Sequence, residues 1–344
     1  MNVKGNNALS KKSAAAQEIF SQRLLSWYDQ NRRNLPWRKN RDPYRVWISE
    51  IMLQQTRVAA VIDHYHEFLR RFPTVEKLAA AREASVLAAW SGLGYYRRAR
   101  MMHAAAKVVV KEYGGQFPGS SHELQKLPGI GRYTAAAIGS IAFEQPVAVV
   151  DGNVERVLQK FSGNKMAREE MWEAANHLLD AGRPGDFNQA MMELGAVICT
   201  PKAPSCLLCP VSELCPTRGE SKIAEKSAPQ KRREIHYSLI CREKNNRENE
   251  IFLVQRARDI SLMAGMWELP EIPTPRTHTK PIFNLRHSIT VTDYTVQVWQ
   301  TAPPKLPGKW ITTSRLRKLA LTGLARKILR KAGILQSGIS LVRE

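Results

Sequence analysis

The sequence predicts an all-α domain followed by a smaller α+β domain, and three observations carry that reading. From about residue 16 to about residue 200, apolar residues recur at helical spacing in one segment after another. At about 216–234 the composition changes to charged and small residues, PTRGESKIAEKSAPQKRRE, the signature of a linker. Beyond it the apolar period falls to two.

The first helix is AAAQEIFSQRLLSWYDQN, with Ile19, Phe20, Leu24 and Trp27 at helical spacing. Val46–Ala60, Ala84–Trp90, Ala99–Tyr113, Tyr133–Phe143, Asn153–Phe161, Glu169–Asp180 and FNQAMMELGAVIC follow the same pattern. The punctuation between them is RFPT, SGLG, GGQFPGSS, LPGIG and GRPGD, rich in residues that break helices. After the linker, Ile235, Tyr237, Leu239 and Cys241 alternate with His236, Ser238 and Ile240, which places Cys241 in the core as a small apolar residue. EIFLVQ, YTVQVWQ and KWIT also read as strands, and LTGLARKILRKAG as a closing helix. The expected organisation is a loose tail at 1–15, a helical domain at 16–215, a linker at 216–234 and an α+β domain at 235–344.

Composition limits the function classes. With 43% hydrophobic residues in 344, the chain can bury a sizeable core. Its longest apolar run, AAAIGSIAF, is half the length of a membrane span, and the first twenty residues lack the apolar core of a secretory signal. The net charge of +21 favours a polyanion partner, chiefly nucleic acid, since each neutralised phosphate releases counterions. Charge alone does not separate DNA from RNA or an anionic membrane.

Four of the five cysteines, Cys199, Cys206, Cys209 and Cys215, are spaced C-x6-C-x2-C-x5-C. Four soft thiolates in one short loop suit an iron–sulfur cluster or a tetrahedral zinc; zinc ribbons usually use two close pairs, and only Cys206 and Cys209 form one.

Two carboxylates stand out. Glu50, in VWISEIMLQQT, lies among Trp47, Ile48, Ile51, Met52 and Leu53. On one continuous helix it would share a stripe with Gln54 and Arg57, and a buried glutamate satisfied by arginine is the plain reading. An apolar setting also raises a carboxyl pKa, which makes a neutral acid able to donate a proton near pH 7. Asp151, in VAVVDGNVERVL, precedes a Gly-Asn turn and a helix, where it suits a cap as well as chemistry. Between them, LPGIGRYTAAAIGSIAF reads as helix, turn and helix. Gly129 and Gly131 permit a tight turn whose N–H groups, with the following helix end, can bind a phosphate.

These motifs carry a resemblance. The cysteine spacing resembles the [4Fe–4S] loop of endonuclease III-type DNA glycosylases, in which a structural cluster places a basic loop on DNA; Lys202 and Arg218 would serve it here. The glycine turn resembles a helix-hairpin-helix, which grips DNA backbone without reading sequence. LPWR, DPYRVWISEIMLQQTRV, GLGYYRRAR and NQAMMELGAVICT resemble adenine DNA glycosylases of the MutY type, over about Leu35 to Cys215. The resemblance implies a helix-hairpin-helix glycosylase fold with a [4Fe–4S] cluster, acting on adenine mispaired with 8-oxoguanine or guanine in double-stranded DNA. Glu50 would protonate adenine N7 and Asp151 would stabilise the cationic deoxyribose, with Tyr133 and Asn153 arranging them. Arg38 would line the adenine pocket, and Gln54, Gln55, Leu93 and Tyr95 would wedge into the stack or touch the opposite base. Strand-cutting relatives carry a lysine nucleophile where this chain has Tyr133, which implies base hydrolysis alone, although Lys126 and Lys160 lie nearby in sequence.

LMAGMWELP resembles part of the MutY C-terminal domain, of Nudix-like fold, and no glutamate-rich Nudix box follows it. Mismatch recognition is therefore expected of this domain rather than phosphohydrolysis. Where the family carries Phe-Ser-His on a loop contacting 8-oxoguanine, NLRHSITVTDY places Ile289, Thr290 and Val291, so Thr290 alone could replace a hydroxyl. The protein is expected to act as a monomer in the cytoplasm, on nucleoid DNA. Competing readings are an endonuclease III-like pyrimidine glycosylase with lyase activity and a catalytically silent DNA-binding iron–sulfur protein.

Overall fold

The computed structural model describes residues 14–218, 231–245, 248–260, 262–274, 280–289, 292–303 and 306–335. The first part is helical: α1 (Ala14–Asn31), α2 (Pro43–Leu53), α3 (Val58–Arg71), α4 (Val75–Ala79), α5 (Glu83–Trp90), α6 (Arg97–Tyr113), α7 (Ser121–Leu124), α8 (Arg132–Phe143), α9 (Gly152–Ser162), α10 (Arg168–Leu178) and α11 (Pro184–Val197). The strands β1 (Lys231–Ser238), β2 (Cys241–Asn245), β3 (Glu248–Gln255), β4 (Trp267–Glu268), β5 (Glu271–Ile272), β6 (Phe283–Ile289), β7 (Thr292–Trp299) and β8 (Gly308–Thr312) follow, then α12 (Gly323–Lys331).

Two compact units result. Among the described residues, one takes in 14–65, Thr74–Glu76 and 104–218; the other takes in His66–Pro73, Lys77–His103 and those from 231 to 335. The segment carrying α5 and its following loop therefore folds with the strands.

In the first unit, α1 buries Phe20, Leu24, Leu25 and Tyr28, and Phe20 packs its ring 4.8 Å from that of Phe161. Ile19 falls off this face at 40% exposure. Asp42 caps α2 by accepting from Arg45 N, and proline occupies the first turn, where its missing N–H costs nothing. The expected helix over Val46–Ala60 is two helices. Gln55 adopts a left-handed φ of 55°, which ends α2 at Leu53, and α3 starts afresh at Val58. Arg57 is consequently an exposed residue between helices rather than a member of the Glu50 stripe.

In the second unit, one sheet has the order β5-β1-β7-β6, with β1 and β7 parallel; the other joins β2, β3 and β4, with β8 also on β3. The core between these elements contains Ile251, Leu253, Val296, Val298, Leu324, Ile328 and Leu329. The expected alternation through Cys241 does not hold. His236 through Ile240 are all buried, β1 ends at Ser238, and Cys241 opens β2 as an exposed residue paired with Ile251. Cover on both faces of β1 erases its period of two. No helix among the described residues is long and apolar enough to cross a membrane.

Ile328 is fully buried on the core side of α12. Ile328→Ala is expected to lower unfolding free energy by about 2–5 kcal/mol, read as a fall in the urea midpoint at constant m-value.

Candidate active site

Helix ends position Tyr133, Asp151 and Arg38, whereas Glu50 and Glu193 lie within α2 and α11. Glu50 sits in the last turn of α2 at 5% exposure, with buried Val46, Trp47, Ile48, Ile51 and Met52 around it. Burial pushes its pKa up to about 7. The Tyr133 hydroxyl and Arg38 pull against that shift, and the Asp151 carboxylate adds to it. Tyr133, in the first turn of α8, donates its hydroxyl to Glu50 Oε2 at 2.6 Å, and the phenol oxygen lies 3.4 Å from Met192 Sδ. Burial and the two carboxylates push the phenol itself far up, so it stays a donor. Thus the partner of the buried glutamate is a tyrosine, in place of the arginine that the plain reading expected.

Asp151 is the cap of α9. Its Oδ1 accepts from Asn153 N at 2.9 Å and Val154 N at 2.8 Å, and its Oδ2 accepts from Asn153 Nδ2 at 3.0 Å. Capping and chemistry are therefore not alternatives here: the cap fixes where the carboxylate stands. Asn153 is held in turn by Arg156, whose Nη2 donates to Asn153 Oδ1 at 2.9 Å and to Gly195 O at 2.6 Å, and whose Nε donates to Cys199 O at 2.8 Å. Gly195 lets α11 approach this closely, since a Cβ there would lie 2.6 Å from Asn153 Cβ.

Arg38, in a 3-10 turn at Pro36–Arg38, donates to Glu193 Oε2 at 2.9 Å. Arg33 grips the same carboxylate bidentately at 2.6 and 2.8 Å. Burial alone would raise the Glu193 pKa, but the two guanidinium groups overcome it and hold the carboxyl down at about 2. Two carboxyls in one unit are thus pushed apart, Glu50 towards neutrality and Glu193 firmly charged, the arrangement that assigns acid and electrostatic roles separately.

Glu193, Arg33 and Arg156 were not singled out in sequence. Glu193 had a visible signal, a lone carboxylate among Met191, Met192 and Leu194, the same kind that marks Glu50. Arg156 had only its place one helical turn after Asn153.

Gln54 caps the end of α2 and donates to Thr134 Oγ1 at 3.2 Å, and exposed Gln55 carries the strained φ. In the hairpin, Gly129 has φ 77° and needs to be glycine, whereas Gly131 sits at −88°, open to any residue, and caps α8. The unpaired N–H groups of the first turn of α8 follow it. In the second unit, Leu93 is buried at 5% exposure, while Tyr95 is 47% exposed with a left-handed φ of 47°. Thr290 lies outside the described residues.

Cys199, Cys206, Cys209 and Cys215 are all partly buried and interact electrostatically, each of the other three raising the Cys209 pKa after burial itself. Among the described residues no three His, Cys, Asp or Glu side chains stand close enough to hold a single ion. Two 3-10 turns, at Cys206–Leu208 and Ser212–Leu214, carry Cys206 in the first and place Cys209 and Cys215 at their ends. Four partly buried thiols are an all-sulfur donor set of the kind that suits a soft metal ion or an iron–sulfur group.

Residues 48–180 match the HhH-GPD superfamily of base excision DNA repair proteins. The helical part superposes on a thermostable thymine-DNA glycosylase with TM-score 0.56 and 31% identity, covering 59% of this chain and 97% of that one. An endonuclease III–DNA covalent intermediate shares the fold, with TM-score 0.52 at 23% identity over 59% of this chain and 96% of that one. The chain is 36% identical to the adenine DNA glycosylase of Rattus norvegicus, over 90% of this chain and 77% of that one. It is 34% identical to that of Homo sapiens, over 93% and 75%. The chain belongs to the adenine DNA glycosylase family.

Arg156→Ala removes donors to four carbonyls at once, those of Gly152, Gly195, Cys199 and the Asn153 side chain, and lysine, a single point donor, does not replace them. Both Arg156→Ala and Arg156→Lys are expected to speed amide hydrogen exchange across 194–199 at least tenfold, with wild-type exchange in α12 as the internal control. Unchanged protection would show that Arg156 does not brace this segment.

Proposed function

We propose that the protein is a monofunctional glycosylase that hydrolyses the N-glycosidic bond of adenine mispaired with 8-oxoguanine or guanine in double-stranded DNA. The observation that supports this most is a buried carboxyl, with pKa about 7, hydrogen-bonded to a tyrosine at the position where strand-cutting relatives have a lysine.

Adenine leaves poorly as an anion, so its departure needs a proton. In this reading Glu50 supplies it to N7. The Tyr133 hydroxyl occupies Oε2, which leaves Oε1 to carry the acidic proton. As the bond lengthens, positive charge grows on deoxyribose, and the Asp151 carboxylate, fixed by three N–H donors, stabilises that charge without reorganising. Arg38 and Glu193 offer a rigid donor and acceptor pair to the adenine edge. The base reaches the site by flipping out of the duplex. Gln54, Gln55, Leu93 and Tyr95 attend the vacated stack and the opposite base, and Gly129 and Gly131 present backbone N–H groups to phosphate.

Both lysines noted for the lyase alternative are engaged elsewhere. Lys126 pairs with Glu123 at 2.5 Å, and Lys160 is buried with Nζ donating to Thr200 O at 3.2 Å. Cys199, Cys206, Cys209 and Cys215 would hold a [4Fe–4S] cluster, which supplies a cross-link to the loop rather than a reaction step. The division into a glycosylase domain at 16–215 and a Nudix-like mismatch-recognition domain at 235–344, with Thr290 at the 8-oxoguanine, belongs to the same proposal, as do a monomeric state and action in the cytoplasm.

Glu50→Gln should keep DNA binding within about twofold and lower single-turnover adenine release by 10² to 10⁴; near-normal turnover would refute the acid role. The active form is the protonated one, so the wild-type rate should fall about tenfold per pH unit above about 7. Tyr133→Phe, which removes a bond that lowers the Glu50 pKa, should move that falling limb to higher pH. The purified protein should carry about four iron atoms per chain and a broad visible absorption, both lost in Cys209→Ala.

A further inference from the structure

Within the second unit, the loop between α5 and α6 is fastened to the segment that leads into α12. Ser91 Oγ donates to the Leu321 carbonyl at 2.9 Å and accepts from Arg326 Nε at 2.9 Å. The Tyr96 hydroxyl donates to the same carbonyl at 3.1 Å, with Ser91 Oγ 3.3 Å away. Ser91 and Tyr96 are 5% and 4% exposed, and Thr322 beside them is 1% exposed. The Leu321 carbonyl is itself fixed, because Trp267 and Leu321 form a β-bridge and Thr322 N donates to Trp267 O at 2.9 Å.

The residues between these two anchors are conformationally costly. Gly92, Gly94 and Tyr95 all have positive φ, at 117°, 68° and 47°. A tyrosine in the left-handed region costs on the order of 1–3 kcal/mol and persists only where neighbours impose it. From inside the loop's own helices, Trp90 Nε1 donates to Gly94 O at 3.0 Å, and Arg98 donates to Leu93 O at 3.1 Å while stacking 5.4 Å from the Tyr95 ring. The outer pair of anchors, Ser91 and Tyr96, brackets the strained residues and is tied to Leu321 and Arg326, outside the loop and its own helices. Arg326 is partly buried, its pKa is lowered by desolvation, and its Nε is spent on the Ser91 hydroxyl.

We propose that Arg326, Ser91 and Tyr96 are positioning residues: the α12 end of the strand-bearing region holds the 91–96 loop in the strained form that presents Tyr95 to the DNA. This rests on the glycosylase reading above and adds to it a task for the second region that needs no base contact of its own.

The test uses the full chain carrying Glu50→Gln, bound to a duplex with adenine opposite 8-oxoguanine and 2-aminopurine next to the 8-oxoguanine. Fluorescence reports unstacking on that strand. Tyr96→Phe keeps the ring and loses only the hydroxyl, Arg326→Ala removes the second donor, and Arg330→Ala removes an exposed charge from the same helix as the control. The fluorescence rise on binding should fall at least threefold in Tyr96→Phe and Arg326→Ala at saturating protein and stay within 20% in Arg330→Ala, while all variants retain a cooperative melt. A rise equal to the parent's in Tyr96→Phe and Arg326→Ala overturns the proposal, as does an equal loss in Arg330→Ala. A flat signal with the parent also overturns it. Adenine release by the chain with Glu50 intact, measured on the same duplex, tells that failure apart from failure of the glycosylase reading.

Discussion

The site depends on one constraint, that Glu50 is buried among apolar side chains and given a tyrosine hydroxyl for its partner. Without burial, the carboxyl would titrate at its ordinary value and be a base near neutrality. Without Tyr133, it would be an unsatisfied polar group in an apolar helix, at a cost of about 1–3 kcal/mol. The other features follow from keeping that carboxyl neutral. Arg38 draws it towards ionisation, and Glu193 occupies that guanidinium and limits the pull.

Such a site costs stability. The folded state keeps a proton on Glu50 that the unfolded chain gives up, so the group's contribution is intact below 4.5 and lost as pH rises through about 7, to the extent of about 3 kcal/mol. The surrounding helices of α2, α8 and α11 are correspondingly apolar and tightly packed, with Ile48, Ala137 and Ala190 fully buried. Asp151 is handled oppositely. Its capping bonds stabilise α9 whatever the chemistry, so placing a charge there needs no further compensation.

Much of this was legible in the residues. Helical periodicity located most of the helices, because each buries one face. It ran α2 and α3 together because Gln55, unlike glycine, gives no sequence sign of a left-handed φ. Asp151 and its cap were legible from Asp-Gly-Asn. Tyr133 was noticed for the lysine it replaces, but its bond to Glu50 spans 83 positions and has no local signature. The same holds for Arg33 and Arg38 on Glu193 and for Arg156 on Cys199. In the second region, burial on both faces hid the strand period, and the fastening of Ser91 and Tyr96 to Leu321 crosses more than 220 positions.

The most direct test is a ¹³C NMR titration of the Glu50 side-chain carboxyl, assigned by difference against Glu50→Gln, in the free protein and in a complex with DNA that resists hydrolysis. The physical account predicts a midpoint near 7 in the free protein, and no lower in the complex, where water is further excluded. A midpoint at the ordinary carboxylate value, near 4.5, would mean that position 50 is ionised at neutrality and is not the proton donor.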